Sequence, residues 1–149
     1  MSGGNHHWVF DAMSLARQHT RDLQDRWHHA SDTIKNVVTR MLELEPDLVV
    51  DRVIINGQTQ GMHSGVHRDN LDPRSRTLLL YLNPQWNPEW QGYTVFFGED
   101  RQEIQRILPE PGKMLVYDGS MLHQGQGPDM PGILRVTLSV QMSPLNTGS

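Results

Sequence analysis

Four residues in the second half of the chain have the types and order needed for redox chemistry at a metal: His67, Asp69, His123 and Arg135. His67-Arg68-Asp69 is the one His-x-Asp step in the sequence. His123 follows His67 by 56 residues, and Arg135 follows His123 by 12. Two imidazoles and a carboxylate form the facial triad that holds a non-haem Fe(II) on one side and leaves the other side open. A later arginine on a strand can hold the far carboxylate of an organic acid co-substrate, because its planar fork binds both oxygens. The chemistry named by such a set is O2-dependent oxidation. Singly, each residue has a plainer role. His67 and Asp69 suit a turn ahead of Asn70 and Pro73, and His123 suits a loop next to Gly125 and Gly127. Order, spacing and strand context together favour the site.

The elements that must position these residues follow from periodicity. Apolar residues at Trp8, Ala12, Leu15, Ala16, Leu23 and Trp27 give an uneven helical rhythm over about 8–27. A cleaner one follows: Ile34, Val37, Val38, Met41 and Leu42 lie at i, i+3, i+4, i+7 and i+8, with Ser31 and Asp32 as candidate N-caps and Pro46 as the stop. Both helices read as support that covers a sheet. From Leu48 the rhythm shortens, and strands are predicted near 49–56, 64–67, 76–82, 93–97, 104–108, 114–117, 121–123 and 133–142. Eight short strands behind two helices predict a mainly β fold, a double-sheet jelly roll. One domain is expected over 1–149, with helical support over about 8–45 and a β core over about 48–142.

Strand parity gives the chemistry a place, since alternate residues face opposite ways. Arg135, Thr137 and Ser139 share one face, and Leu134, Val136, Leu138 and Val140 share the other. On the earlier strand Thr77, Leu79 and Tyr81 oppose Leu78, Leu80 and Leu82. Each strand has an apolar side suited to lie under helices and a side with polar groups suited to line a wet cavity.

Composition narrows the classes. With 13 Lys plus Arg against 17 Asp plus Glu, the net charge is −4, which argues against a nucleic-acid binder. The absence of cysteine excludes disulfides and thiolate metal sites and suits a reducing cytosol, so a cytoplasmic location is expected. No apolar run is long enough to span a bilayer, and the first residues do not read as a secretory signal. His6-His7 and His28-His29 read as surface histidines, because adjacent side chains point apart.

The stretch from Asn56 to Met142, 87 of 149 residues, resembles the double-stranded β-helix core of the 2-oxoglutarate/Fe(II)-dependent dioxygenases. Within them it is most similar to the prolyl 4-hydroxylase-like branch, which includes the hypoxia-factor prolyl hydroxylases. The shared signals are His67-Arg68-Asp69-Asn70, then Leu79 to Asn83 followed by Trp86, and Gly92 before a strand ending in Phe96-Phe97. After these come Pro109, Pro111 and Gly112 before Met114 to Tyr117, and finally His123 and Arg135-Val136-Thr137.

The resemblance implies that His67, Asp69 and His123 ligate Fe(II). It implies that Arg135, assisted by Thr137, pairs with the distal carboxylate of 2-oxoglutarate, while Tyr81 and Thr77 line the co-substrate pocket. O2 would be the oxidant and ascorbate an auxiliary reductant. Asp69 favours hydroxylation, since the family's halogenases carry a small residue there. The nucleic-acid demethylase branch carries a second arginine six residues after the first, where this chain has Gln141. The family's usual co-substrate tyrosine before the His-x-Asp step is absent, so Asn56 or Gln58 would substitute. The implied activity is hydroxylation of a C–H bond, foremost in a prolyl residue, with a peptide, protein or small molecule as substrate. Trp86 and Trp90 offer either an apolar cover for a peptide or two anchors of a long turn. Arg76 and Lys113 are rivals of Arg135 for the anion. A cupin-like metal-binding module or isomerase without oxygenase activity is the alternative, and Arg135 with Thr137 beside the metal would discriminate against it.

Overall fold

The computed structural model describes residues 8–13 and 31–145. Its strands are β1 (Trp8–Met13), β2 (Leu48–Gln58), β3 (Arg76–Tyr81), β4 (Thr94–Phe97), β5 (Glu103–Ile107), β6 (Met114–Asp118), β7 (Leu122–Gly125) and β8 (Arg135–Pro144). One helix, α1 (Asp32–Leu44), precedes β2. Five strands form one sheet in the order β1-β2-β8-β3-β6, and three form a second in the order β5-β4-β7. Every pairing is antiparallel. This is the jelly roll expected from strand count and spacing.

The second predicted helix forms as read. The Ser31 hydroxyl accepts from the Ile34 N–H and caps α1, a contact typically worth about 1 kcal/mol. Val38, Met41 and Leu42 then pack on Leu48, Val50, Val53, Leu78, Leu138, Val140 and Met142. The apolar faces of β3 and β8 thus lie under a helix, as parity required.

The first predicted helix is corrected over its start. Trp8–Met13 is an edge strand paired with β2, Trp8 opposite Gly57 and Phe10 opposite Ile55. Trp8-Val9-Phe10 is a run of aromatic and β-branched residues, and an open edge of β2 gives it ladder hydrogen bonds that a loose helical period does not. The rest of that helix, and both His-His pairs, lie outside the described residues. Ser64–His67 is also not a strand. His67 alone forms an isolated bridge, to His123.

One irregularity decides where the cavity forms. The register of β2 against β8 shifts between Val50 and Arg52, leaving Asp51 as an extra residue. The Ser143 hydroxyl donates to Asp51 Oδ1 across this bulge. A bulge reverses strand parity. Leu48 and Val50 face the helix before it, and Val53 does so after it. Arg52, Ile54, Asn56 and Gln58 are thereby turned to the concave side.

Candidate metal and co-substrate site

His67 and His123 face each other through a reciprocal backbone pair. The His67 N–H donates to the His123 carbonyl at 3.0 Å, and the His123 N–H to the His67 carbonyl at 2.9 Å. This bridge sets the two rings 4.4 Å apart. His123 is fixed from behind by β4, where it lies opposite Phe96. Asp69 is fixed through its neighbour in space, Gly119, whose carbonyl accepts from both the Asp69 and Asn70 N–H groups. No side chain fits at Gly119, because a Cβ there would lie 2.5 Å from the Ser75 hydroxyl.

The donor atoms converge. His67 Nε2 is 3.4 Å from Asp69 Oδ1, and His123 Nε2 is 3.5 Å from Asp69 Oδ2. Ligands held at roughly 2.1 Å from one centre and at right angles lie roughly 3.0 Å apart, so small side-chain adjustments suffice. The far nitrogens support this use. His67 Nδ1 is 2.8 Å from the Gly65 carbonyl, and His123 Nδ1 is 2.9 Å from the Met121 carbonyl. A carbonyl only accepts, so each Nδ1 carries a proton and each Nε2 is the atom turned toward Asp69 and free of backbone partners. Asp69 accepts from the Thr77 hydroxyl at 2.7 Å and from Gln141 Nε2 at 3.4 Å. Burial opposes ionisation of Asp69, but hydrogen bonds to His123, His67 and Thr77 outweigh it and hold the carboxyl far below the usual range. The set is a buried carboxylate and two imidazoles, a donor set that can bind Fe(II). The side chains of His123 and Asp69 are 7% exposed and that of His67 is 40% exposed, so the open side lies at His67.

The triad opens into a cavity of about 290 Å³, a small-molecule size. Its floor is a ladder of side chains across the five-stranded sheet. One rung is Arg52–Gln141–Thr77–Tyr117, beside Asp69. The next are Ile54–Ser139–Leu79, then Asn56–Thr137, and then Gln58–Arg135. Arg135 closes the far end. It is 3% exposed, and all its partners are neutral. Its Nε donates to the Gly92 carbonyl at 2.8 Å, Nη1 to Gln58 Oε1 at 2.7 Å and Nη2 to Thr94 Oγ1 at 2.8 Å. No carboxylate among the described residues lies within ion-pair distance of it. Burial pulls the guanidinium below its ordinary value, the Tyr81 phenol opposing, yet an arginine stays charged. A buried cation without a counter-charge is costly unless a ligand supplies one. Two rungs from the triad's, Asn56 Oδ1 is buried without a hydrogen-bond partner. A buried cation of this kind suits a carboxylate group at that end of the cavity, while the Asn56 oxygen, an acceptor, calls for a donor.

Most residues singled out from sequence meet here, and some change place. Thr137 lines the cavity with Arg135. Thr77 is corrected: its hydroxyl is spent on Asp69, so it orients that carboxylate. Tyr81 sits behind the wall, with its hydroxyl 2.6 Å from Thr94 Oγ1 and its ring 5.5 Å from the Arg135 guanidinium carbon. Arg76 bonds the Pro73 and Ser75 carbonyls, and Lys113 pairs with Glu110, so neither rival reaches the cavity. Trp86 and Trp90 pack edge to face at 5.3 Å, and Trp86 Nε1 donates to the Gln91 carbonyl. They stand beside Gly92 at the Arg135 end, away from the triad, and act as anchors of the turn. Thr94, Tyr117 and Arg52 were missed. Tyr117 had a readable signal in the alternation of Leu115 and Tyr117 with Met114 and Val116. Its hydroxyl lies 3.4 Å from His123 Nε2. Burial and then the Asp69 charge raise the phenol, which stays protonated.

Residues 52–140 match the family model of the 2OG-Fe(II) oxygenase superfamily. The chain belongs to that superfamily, whose reagents are Fe(II), 2-oxoglutarate and O2, and it is a 2-oxoglutarate-dependent dioxygenase by class. No curated protein matches it by sequence. Among solved structures it is similar to a Pseudomonas putida prolyl-4-hydroxylase, at 20% identity and a TM-score of 0.63, covering 77% of this chain and 67% of that one. A Burkholderia pseudomallei oxidoreductase of the 2OG-Fe(II) oxygenase family matches at 19% identity and 0.68, covering 92% of this chain and 66% of that one. A Trichoplax adhaerens prolyl hydroxylase, solved with a peptide of the hypoxia inducible factor oxygen degradation domain, matches at 15% identity and 0.63, covering 94% and 84%. The chain spans about two thirds of the first two. At these identities the likeness is one of fold, that of the prolyl 4-hydroxylase-like oxygenases. Among the described residues, no helix is long and apolar enough to cross a membrane.

Proposed function

We propose that residues 1–149 work as one oxygenase domain that hydroxylates a C–H bond of a prolyl residue, free or in a peptide. The observation that carries the reading is the buried Arg135, held by neutral partners alone, in the cavity that His67, Asp69 and His123 border. A metal module without a co-substrate has no use for that cation, which weighs against the cupin-like alternative.

In this reading His67 and His123 hold Fe(II) through Nε2, and Asp69 completes the face. Thr77 and Gln141 keep Asp69 from rotating away. Arg135 receives the distal carboxylate of 2-oxoglutarate, with Gln58, Thr94 and Gly92 fixing its fork. Asn56 and Thr137, facing each other across β2 and β8, contact the body of the acid in place of the family's tyrosine. Fe(II) and 2-oxoglutarate, when bound, would supply with O2 an oxidative decarboxylation that puts one oxygen atom of O2 into succinate, releases CO2 and delivers the other oxygen atom to the substrate C–H bond. The Tyr117 phenol, beside His123 Nε2, excludes water from that side. The preference for a prolyl target draws on the prolyl hydroxylases that share the fold.

The test is turnover with Fe(II), 2-oxoglutarate and O2 against pools of amino acids and prolyl peptides, read by mass spectrometry. Succinate together with a product one oxygen atom heavier supports the proposal. Succinate without any prolyl product moves the target to another C–H bond, and no succinate under any condition overturns the reading.

A further inference from the structure

Among the described residues the two sheets end in four edge strands, and three of them are covered or blunted. The edge of β7 is covered by the loop before the triad. Ser64 N–H donates to the Gly125 carbonyl, the Ser64 hydroxyl accepts from the Gly125 N–H, and His67 bridges His123. β5 carries an exposed Glu103–Arg106 ion pair, and its register breaks between Phe96 and Phe97. The ladder of β1 breaks between Asp11 and Met13. β6 has none of these protections. Met114-Leu115-Val116-Tyr117 holds no charge, proline or glycine, and its register with β3 is unbroken.

The direction of its backbone groups follows from its two ends. Tyr81 N–H donates to the Lys113 carbonyl, and Gly119 N–H to the Ser75 carbonyl. Antiparallel pairs alternate, so Leu115 and Tyr117 bond β3, while Met114 and Val116 turn their N–H and C=O outward. No described residue bonds those groups. The same two residues project apolar side chains from the convex face beyond α1. Met114 is 51% exposed and Val116 49%, although Leu78, opposite Val116 on β3, is fully buried.

We propose that β6 is a self-association edge, where two copies of this chain pair their β6 strands antiparallel and join their five-stranded sheets into one. The strand such an edge takes is uncharged and apolar on the convex side, and β6 itself meets that description. A two-fold axis at Leu115 sets Met114 opposite Val116 of the second copy, with the outward groups of both in bonding position. No like charges meet, because Lys113 then lies opposite Tyr117 of the second copy. The axis is normal to the sheet, so both concave faces stay on one side and neither cavity is covered. A seam this short suits a dimer that dissociates. The proposal uses only the scaffold and stands whether or not the oxygenase reading does.

Sedimentation velocity of the full chain over about 1–100 μM should show a monomer passing into a dimer. The chain has no cysteine, so Leu115→Cys can form only an intermolecular disulfide. Two residues facing each other on the axis lie about 4.5 Å apart between Cα atoms, within bridging range, and the oxidised variant should run as a covalent dimer. Val116→Cys, whose copies lie beyond about 7 Å, should cross-link at least about tenfold less. Val116→Lys should raise the dissociation constant by about tenfold or more while far-UV circular dichroism stays that of the wild type. A wild-type monomer at every concentration overturns the proposal. Hydrogen exchange then separates the other occupants: protected Met114 and Val116 amides assign the edge to another segment of this chain, and unprotected ones leave it to a different protein. A dimer that survives Val116→Lys and gives no Leu115→Cys cross-link uses another face and overturns the proposal equally.

Discussion

The two ends of one cavity carry opposite imbalances. At the triad end a buried carboxylate is surrounded by two imidazoles and a hydroxyl. At the other end a buried guanidinium is surrounded by a carbonyl, an amide and a hydroxyl. Neither charge is neutralised by the other, because rungs of Ile54, Ser139, Asn56 and Thr137 lie between them. On the rim, by contrast, Arg68 and Glu99 neutralise each other. A protein that matched its charges everywhere would be more stable and would bind nothing. The pair supports the proposed ligands, a cation at one end and an anion at the other joined by a few carbons.

The comparison can be broken most severely at the triad. Asp69→Ala removes the only carboxylate among the described residues that line the cavity, and Fe(II) affinity should fall by more than about 100-fold, beyond the effect of losing an outer partner. Anaerobic Fe(II) titration reads it, and an unaltered affinity would place the metal elsewhere. Thr77→Val keeps the shape and removes the hydroxyl that orients Asp69. Fe(II) affinity should drop by about 10-fold to 100-fold with the fold intact.

The Arg135 end is probed next through Gly92. Its φ of +70° suits glycine, and an added Cβ would lie 2.9 Å from Trp86 Cζ2 and 3.5 Å from Arg135 Cδ. Gly92→Ala should cost about 1–3 kcal/mol in urea unfolding and weaken 2-oxoglutarate binding by moving the Arg135 acceptor. The smallest effect belongs to the matched pair. Glu99→Gln should change 2-oxoglutarate affinity by less than about twofold, since an exposed ion pair stabilises little. A large change there would mean that the rim pair, too, serves the ligand.

The sequence disclosed the site more fully than the frame around it. His67, Asp69, His123 and Arg135 were legible because few residue types ligate iron or clasp a carboxylate. Alternation placed Arg135, Thr137 and Ser139 on one face of β8. What escaped depends on distant pairing. Trp8–Met13 is a strand because β2 offers it an edge, and no local period announces that. The bulge at Asp51 is a mismatch of two strands, invisible in either one, and it alone aims Arg52, Asn56 and Gln58 inward. Thr77 was correctly put on the inner face, but parity fixes a direction and not a partner, and its partner is Asp69. The tryptophans were read as cover or anchors, and only the packing of Trp86 on Gly92 decided for anchors.

The most direct test of the central claim is an anaerobic titration of 2-oxoglutarate, with and without Fe(II), into the wild-type protein and into Arg135→Ala. The account predicts binding to one site that Fe(II) tightens. It also predicts that Arg135→Ala loses about 30-fold or more of that affinity while its Fe(II) affinity stays near wild type. A wild-type protein that ignores 2-oxoglutarate, or an Arg135→Ala protein that binds it equally well, would contradict it.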